Sequence, residues 1–177
     1  TPLYSSAASD VYKRQGLIDA HVHVLYPQIL KQALVFGLTT VVDMNMVVKT
    51  MSDIKKQQAF GKANDMATLI SAGMAVTAPG GHGSQFYPVQ TIATPEEAQA
   101  FVDARLKEGS DFIKIIYDDG TALSNKIPTL DKETLLAVIK AAHERGKLAV
   151  VHIMTLREAK EALDAGADGL APVSYTH

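Results

Sequence analysis

An α/β fold built on a parallel sheet is predicted by three features of the 177-residue sequence. Short, almost wholly apolar runs recur along it. Segments with helical periodicity separate these runs. Four of those segments stop at a glycine, and the next apolar run follows within one to three residues. Strands covered on both faces read as continuous apolar runs, and a strand–helix–strand rhythm is the trace of parallel crossover units.

Each element follows from local signals. Strands are expected over 17–24, 39–44, 67–76, 111–117 and 148–152, with a stub at 168–171. Pro27 opens a helical segment that spaces Ile29, Leu30, Ala33 and Leu34 along one face, and Gly37 closes it. Thr94-Pro95-Glu96-Glu97 is a capping box with proline at the first helical position, and its helix ends at Gly109. Asp131 caps the next helix, which is expected to bury Leu135, Leu136, Ile139 and Ala142 before stopping at Gly146. Thr155-Leu156-Arg157-Glu158 is a second capping box, with its stop at Gly166. Two long loops interrupt the rhythm, 78–92 and 118–128. Loops after strands are where α/β proteins place ligands.

Composition narrows the function classes. There are 17 Lys+Arg against 19 Asp+Glu, a net charge of −2, which argues against a nucleic-acid or anionic-membrane partner. Hydrophobic residues make up 47% and charged residues 20%, so a packed core is expected rather than disorder. No apolar run reaches the ~18 residues of a membrane span, and no secretory signal pattern is found. Zero cysteines exclude disulfides, cysteine-based zinc sites and a cysteine nucleophile, and fit a reducing, cytoplasmic compartment. Length predicts one domain, yet a complete eight-stranded α/β barrel usually takes about 250 residues.

The chemistry-bearing residues sit on or just after the expected strands. His21 and His23 are two apart in Asp19-Ala20-His21-Val22-His23, so both imidazoles project from one face of the first strand, with Asp19 one pleat below. Two neighbouring imidazoles can take adjacent positions on one divalent cation, and Asp19 would orient a ligand from behind. A bare His-x-His is often a metal-free surface feature, but an apolar strand around it demands partners for both rings. Lys114 lies mid-strand in Phe112-Ile113-Lys114-Ile115-Ile116. Burial there would lower its pKa and make it nucleophilic, able to add carbon dioxide; an ion pair with Asp43 or Asp19 is the ordinary alternative. His152 ends the fifth strand, where either a catalytic group or a satisfied edge residue fits. His82 stands among three glycines in Gly80-Gly81-His82-Gly83, a loop suited equally to ligand approach or to tight packing. Asp118-Asp119-Gly120 reads as a turn, with a substrate-side loop as the alternative. His143 falls on a solvated helix face, and Met44, Met46 and Met51 read as core or pocket lining.

Taken together, these residues resemble the amidohydrolase superfamily. Gly16-Leu17-Ile18-Asp19-Ala20-His21-Val22-His23 looks like its first-strand signature. The likeness continues through Gly37-Leu38-Thr39-Thr40-Val41-Val42-Asp43, Thr77-Ala78-Pro79-Gly80-Gly81-His82-Gly83, Gly109-Ser110-Asp111-Phe112-Ile113-Lys114-Ile115 and Gly166-Ala167-Asp168-Gly169-Leu170-Ala171. It is nearest to the prolidase-like and imidazolonepropionase-like branch. The resemblance implies a (β/α)8 barrel, of which this chain would hold about strands one to six with five helices. It implies hydrolysis of a carbon–nitrogen bond (amide, peptide-like or cyclic amide) of a small molecule by metal-activated hydroxide. His21 and His23 would hold a first divalent ion, zinc by preference. Lys114, as its carbon dioxide adduct (a carbamate), would bridge to a second ion held by His152, and His82 would contact substrate.

The resemblance also has gaps. Pro172 stands where a sixth-strand histidine is expected, and the eighth-strand aspartate that serves as general base has no counterpart. The terminal segments 1–15 and 172–177 resemble translated sequencing-adaptor tails of metagenomic assemblies, which leaves 16–171 as the partial amidohydrolase barrel. A truncated barrel is expected to be inactive alone and open to homo-oligomer formation through its edge strands. Two other readings remain at this stage: a non-catalytic metal-binding α/β module, and a doubly wound domain with structural histidines.

Overall fold

The computed structural model describes residues 15–61, 64–85 and 88–172. The chain alternates β1 (Leu17–Val22), α1 (Gln28–Val35), β2 (Leu38–Asp43), α2 (Val48–Ala59) and β3 (Thr68–Ser71). A 3-10 turn (Pro95–Glu97) then leads into α3 (Ala98–Glu108), followed by β4 (Ile113–Ile116), a second 3-10 turn (Thr121–Leu123) and α4 (Lys132–His143). The chain finishes with β5 (Ala149–Ile153), α5 (Leu156–Asp164) and β6 (Gly169–Pro172).

All strand pairings are parallel, in two sheets ordered β1-β2-β3 and β4-β5-β6. The chain beyond β3 joins them. Val76 bridges Ile115, donating its N–H to the Lys114 carbonyl and accepting the N–H of Ile116, both at 2.9 Å. Strand order therefore follows chain order across the wall. A doubly wound sheet reverses its order at the middle, so that reading is excluded and the partial (β/α)8 barrel is confirmed.

Two packing layers give the wall its curvature. Outside, Ile113, Ile115 and Val151 pack against Phe101, Val102, Leu135, Val138 and Ile139 of α3 and α4. Inside, Met44, Ala72, Phe112 and Ala171 converge from separate strand regions into one small cluster, flanked by Val42 and Val150. Inward-facing side chains from both sheets meet only if the wall bends toward closure.

The capping signals hold. Asp131 accepts the Thr134 N–H, and both the Thr94–Glu97 and Thr155–Glu158 boxes close reciprocally. Gly109 ends α3 with φ 101°, a left-handed turn that costs glycine nothing.

Four expectations are corrected. The third strand stops at Ser71, because Gly73 (φ 63°) turns the chain before it rejoins the wall at Val76. Leu136 is 51% exposed: adjacent helical positions lie about 100° apart, and Leu135 takes the inward one. Strand β1 is not covered on both faces, since it is the edge of its sheet, with Leu17 and Ile18 more than 60% exposed. The sixth strand, expected as a stub over 168–171, runs from Gly169 to Pro172, which pairs with Ile153 as the last residue of an edge strand, where a missing N–H is tolerated. Of the adaptor-like segments, 1–14 and 173–177 lie outside the described residues. Among the described helices, none is long and apolar enough to cross a membrane.

Candidate metal centre

The C-terminal ends of the parallel strands carry the candidate site. On β1 and the residue after it, the His21 and His23 rings lie 5.7 Å apart, edge to face at 68°. This is the pairing that period-two geometry predicts. The Nδ1 of His23 lies 3.3 Å from the Asn45 carbonyl, which leaves Nε2 to the cavity. Burial and the nearby Lys114 amine hold His21 below its ordinary pKa. Asp19 accepts the backbone N–H of His21 at 3.1 Å and, among the described residues, makes no hydrogen bond to either ring.

Asp43 closes off β2 underneath. It is fully buried and accepts the Val24 N–H at 2.9 Å and the Ser71 hydroxyl at 2.7 Å. Burial pushes its carboxyl up against the pull of those two donors. Asp43 thereby ties the chain after β1 to β2 and β3, and it does not pair with Lys114.

On β4, Lys114 is 4% exposed and its Nζ has no hydrogen-bond partner among the described residues. Burial alone lowers its pKa to about 8. The expected alternative, an ion pair with Asp43 or Asp19, does not form. On β5, the register sets Lys114 beside Val150 and Ile116 beside His152, so His152 stands one pleat nearer the strand ends. Its Nε2 is buried and unpartnered. Burial, then Lys114 and His82, lower its pKa to about 3. The Asp118 carboxylate lies 3.9 Å away, yet desolvation outweighs it and the ring stays neutral, the form a metal ligand needs.

His82 enters from the loop after β3. Its Nδ1 lies 2.5 Å from Asp118 Oδ2, and its ring packs edge-on against His152 with centroids 4.7 Å apart. The glycines around it serve tight packing: a Cβ on Gly81 would meet Thr77 Oγ1 at 2.6 Å and the Pro128 carbonyl at 2.9 Å. Gly83 also lines the cavity beside these strand ends.

One cavity of about 450 Å³ is lined by His21, His23, His82, Lys114 and His152 together, with Leu25, Met44, Asn45, Ala75 and Ile116 as its less polar wall. All four candidate ligands and His82 therefore reach it; Asp19 and the Asp118–Gly120 turn are not among its lining residues. His143, expected on a solvated face, is exposed and meets Asp168 at 2.8 Å. The sequence offers Asp118 only as part of a turn or a substrate-side loop, not as a partner of His82 and His152. Ligand atoms of His82, Asp118 and His152 all lie within 4.8 Å of one another. The signal was present, an aspartate directly after an apolar strand, but Asp-Asp-Gly reads first as a turn. Asn45 and Asp43 were missed as supports for the same reason: each acts through contacts distant in sequence.

The residues fit a metal. Two buried nitrogens, Lys114 Nζ and His152 Nε2, lack partners, and an unsatisfied polar atom in a low-dielectric wall is costly unless something completes it.

The sequence matches no protein-family profile and no curated protein. Among solved structures, a Bifidobacterium longum protein assigned as a prolidase is 26% identical, with a TM-score of 0.73 over 88% of this chain and 39% of its own. A Xaa-Pro dipeptidase with methionine bound in its active site is 25% identical, with a TM-score of 0.70 over 88% of this chain and 47% of its own. The Aspergillus niger ochratoxinase shares the fold at 19% identity, with a TM-score of 0.76 over 92% of this chain and 48% of its own. The chain thus spans between 39% and 48% of these relatives. In strand order and fold, this chain is a partial barrel of the amidohydrolase type.

Proposed function

We propose that the chain supplies the metal-holding part of a hydrolase that cleaves a carbon–nitrogen bond of a small molecule in the cytoplasm. One observation carries this reading: five residues from four separate regions converge on one cavity, and two of them bury nitrogens without partners. His21 and His23 would hold one divalent ion, and His152 a second, with zinc favoured by the imidazole set. Bound metal would supply a Lewis acid for the amide carbonyl and lower the pKa of water toward ~7.

The chain's own residues do the rest. With a pKa of about 8, roughly a tenth of the Lys114 amines are neutral at pH 7. The neutral amine would add carbon dioxide, the new N–C bond forming as one C–O π bond opens and the nitrogen releases one proton to solvent. The resulting carbamate would be an anion in a wall that otherwise holds an unpaired cation, and would supply oxygen ligands to a metal. Substrate would lie against His82 and the apolar wall of Leu25, Met44 and Ile116. Pro172 occupies the position where the resemblance places a further histidine, so hydrolysis by this chain alone is expected to be weak.

Zinc titration of the purified chain by calorimetry, with and without bicarbonate, tests the reading. Zinc uptake that rises with bicarbonate, and a loss of that rise in Lys114→Met, is expected. Absence of zinc uptake overturns it.

A further inference from the structure

His82 and Asp118 form a pair that the four-residue ligand set does not require. The Asp118 side chain is 2% exposed and both its oxygens are engaged. Oδ1 accepts the Gly120 N–H at 2.8 Å, and Oδ2 faces His82 Nδ1 at 2.5 Å. The turn that carries Asp118 is pinned from behind. Buried Glu158 accepts the Asp119 N–H at 3.2 Å, while its other oxygen accepts the Met154 and Thr155 N–H groups at 2.9 and 2.8 Å. Arg157 adds a bond to Asp119 at 2.6 Å. The carboxylate is therefore set by its own scaffold, independently of the imidazole.

That order of construction has a chemical consequence. An ionised carboxylate only accepts, so the proton in the bond sits on Nδ1. In the neutral ring the remaining nitrogen, Nε2, then carries a lone pair, and the ring borders the cavity. We propose that Asp118 is a positioning residue that holds His82 as the Nδ1–H tautomer, so that Nε2 meets the ligand as an acceptor. In that form the matching ligand group is an N–H, such as that of a secondary amide. The identity of that ligand rests on the hydrolase reading above; the tautomer does not.

Long-range 1H–15N correlation spectra of the 15N-histidine-labelled chain, metal-free at pH 8, read the tautomer directly. Loss of one ring system in His82→Gln assigns the signals. A protonated-type Nδ1 and a bare Nε2 are expected for His82. Asp118→Asn should shift the ring to a majority Nε2–H form, with the His143 signals unchanged as proof of fold. An Nε2–H ring in the parent chain overturns the proposal, as does an unchanged tautomer in a folded Asp118→Asn. The ligand arm uses N-methylbenzamide and N,N-dimethylbenzamide, followed by saturation transfer. One hydrogen bond is worth about fivefold in affinity, in favour of the amide with an N–H. Equal retention, or none, overturns the N–H assignment. Failure of the metal reading shows separately, as absent zinc uptake.

Discussion

The β1–β3 and β4–β6 halves of the wall place candidate ligands at equivalent strand ends, but in opposite surroundings. His21 and His23 are exposed, on an edge strand whose pairing with β2 slips register twice. Lys114 and His152 are buried, on strands in unbroken register. The helices explain the contrast. Strand β4 is buried at every position under α3 and α4, whereas β1 has a neighbour on one side only. Ligands of the first half cost little to display and are loosely held. Those of the second half are held firmly and are desolvated, so they depress stability until something pairs with them. The two halves should therefore respond to substitution with opposite signs.

The largest effect belongs to the exposed pair. Replacing both His21 and His23 by Ala should reduce zinc affinity at least ~100-fold, because two imidazole ligands are removed. Stability should change by no more than about 0.5 kcal/mol, as for other exposed positions. Calorimetric zinc titration and denaturant melts check the two parts. A large stability loss with intact zinc binding would mean that these rings are packing residues.

Lys114 should behave in reverse. In Lys114→Met the chain loses a buried amine without a partner, and stability at pH 7 should rise by about 1–3 kcal/mol. The pH dependence fixes the cause. The folded-state pKa is about 8 against 10.5 unfolded, so between those values the unfolded chain binds the extra proton. Stability of the parent should then climb with rising pH across that window, by up to about 3 kcal/mol, while Lys114→Met stays flat. Melts in carbon dioxide-free buffer at pH 7 and pH 9.5 measure the gap. A gap that fails to narrow at pH 9.5 removes the unpaired-amine account.

This asymmetry also explains which features were legible in the sequence. Period two alone puts His21 and His23 on one face, and the flanking isoleucines mark Lys114 as buried. The βα rhythm with its glycine stops carried the fold class. Helix α2 is implied by the count of five helices but carries no local start signal: it has no side-chain cap and buries only Met51 and Ile54, so its periodic signal is thin. Asp118 was read as a turn residue because its partner, His82, lies 36 residues earlier in a loop without periodicity. Exposure of β1 could not be inferred from its composition, since an apolar strand at a sheet edge and one in the middle look alike locally. In each case the missing information was tertiary: which element lies alongside.

A smaller effect tests whether the β4–β6 half loosens by itself. Thr155 caps α5 by accepting the Glu158 N–H at 3.2 Å, and Glu158 in turn holds the Asp119 N–H. Thr155→Ala should cost about 1 kcal/mol in a denaturant melt. It should also raise hydrogen exchange at the Asp118–Gly120 turn, while β1 and β2 keep the exchange of the parent chain. Equal loosening in both halves would mean that the wall unfolds as one unit.

Asp19 marks the lower limit of the contrast. A carboxylate bonded to a ligand imidazole orients that ring, and its removal typically costs 10–100-fold in metal affinity. Asp19 instead accepts the backbone N–H of His21. Asp19→Ala should therefore lower zinc affinity by no more than about threefold, the scale of one modest backbone contact on an exposed strand. The Asn45 carbonyl at His23 Nδ1 remains in place and continues to orient that ring. A tenfold or greater loss in the Asp19→Ala titration would show that the carboxylate swings to a ring once metal binds. The loosely held half would then be organised by its ligand, while the buried half stands ready without one.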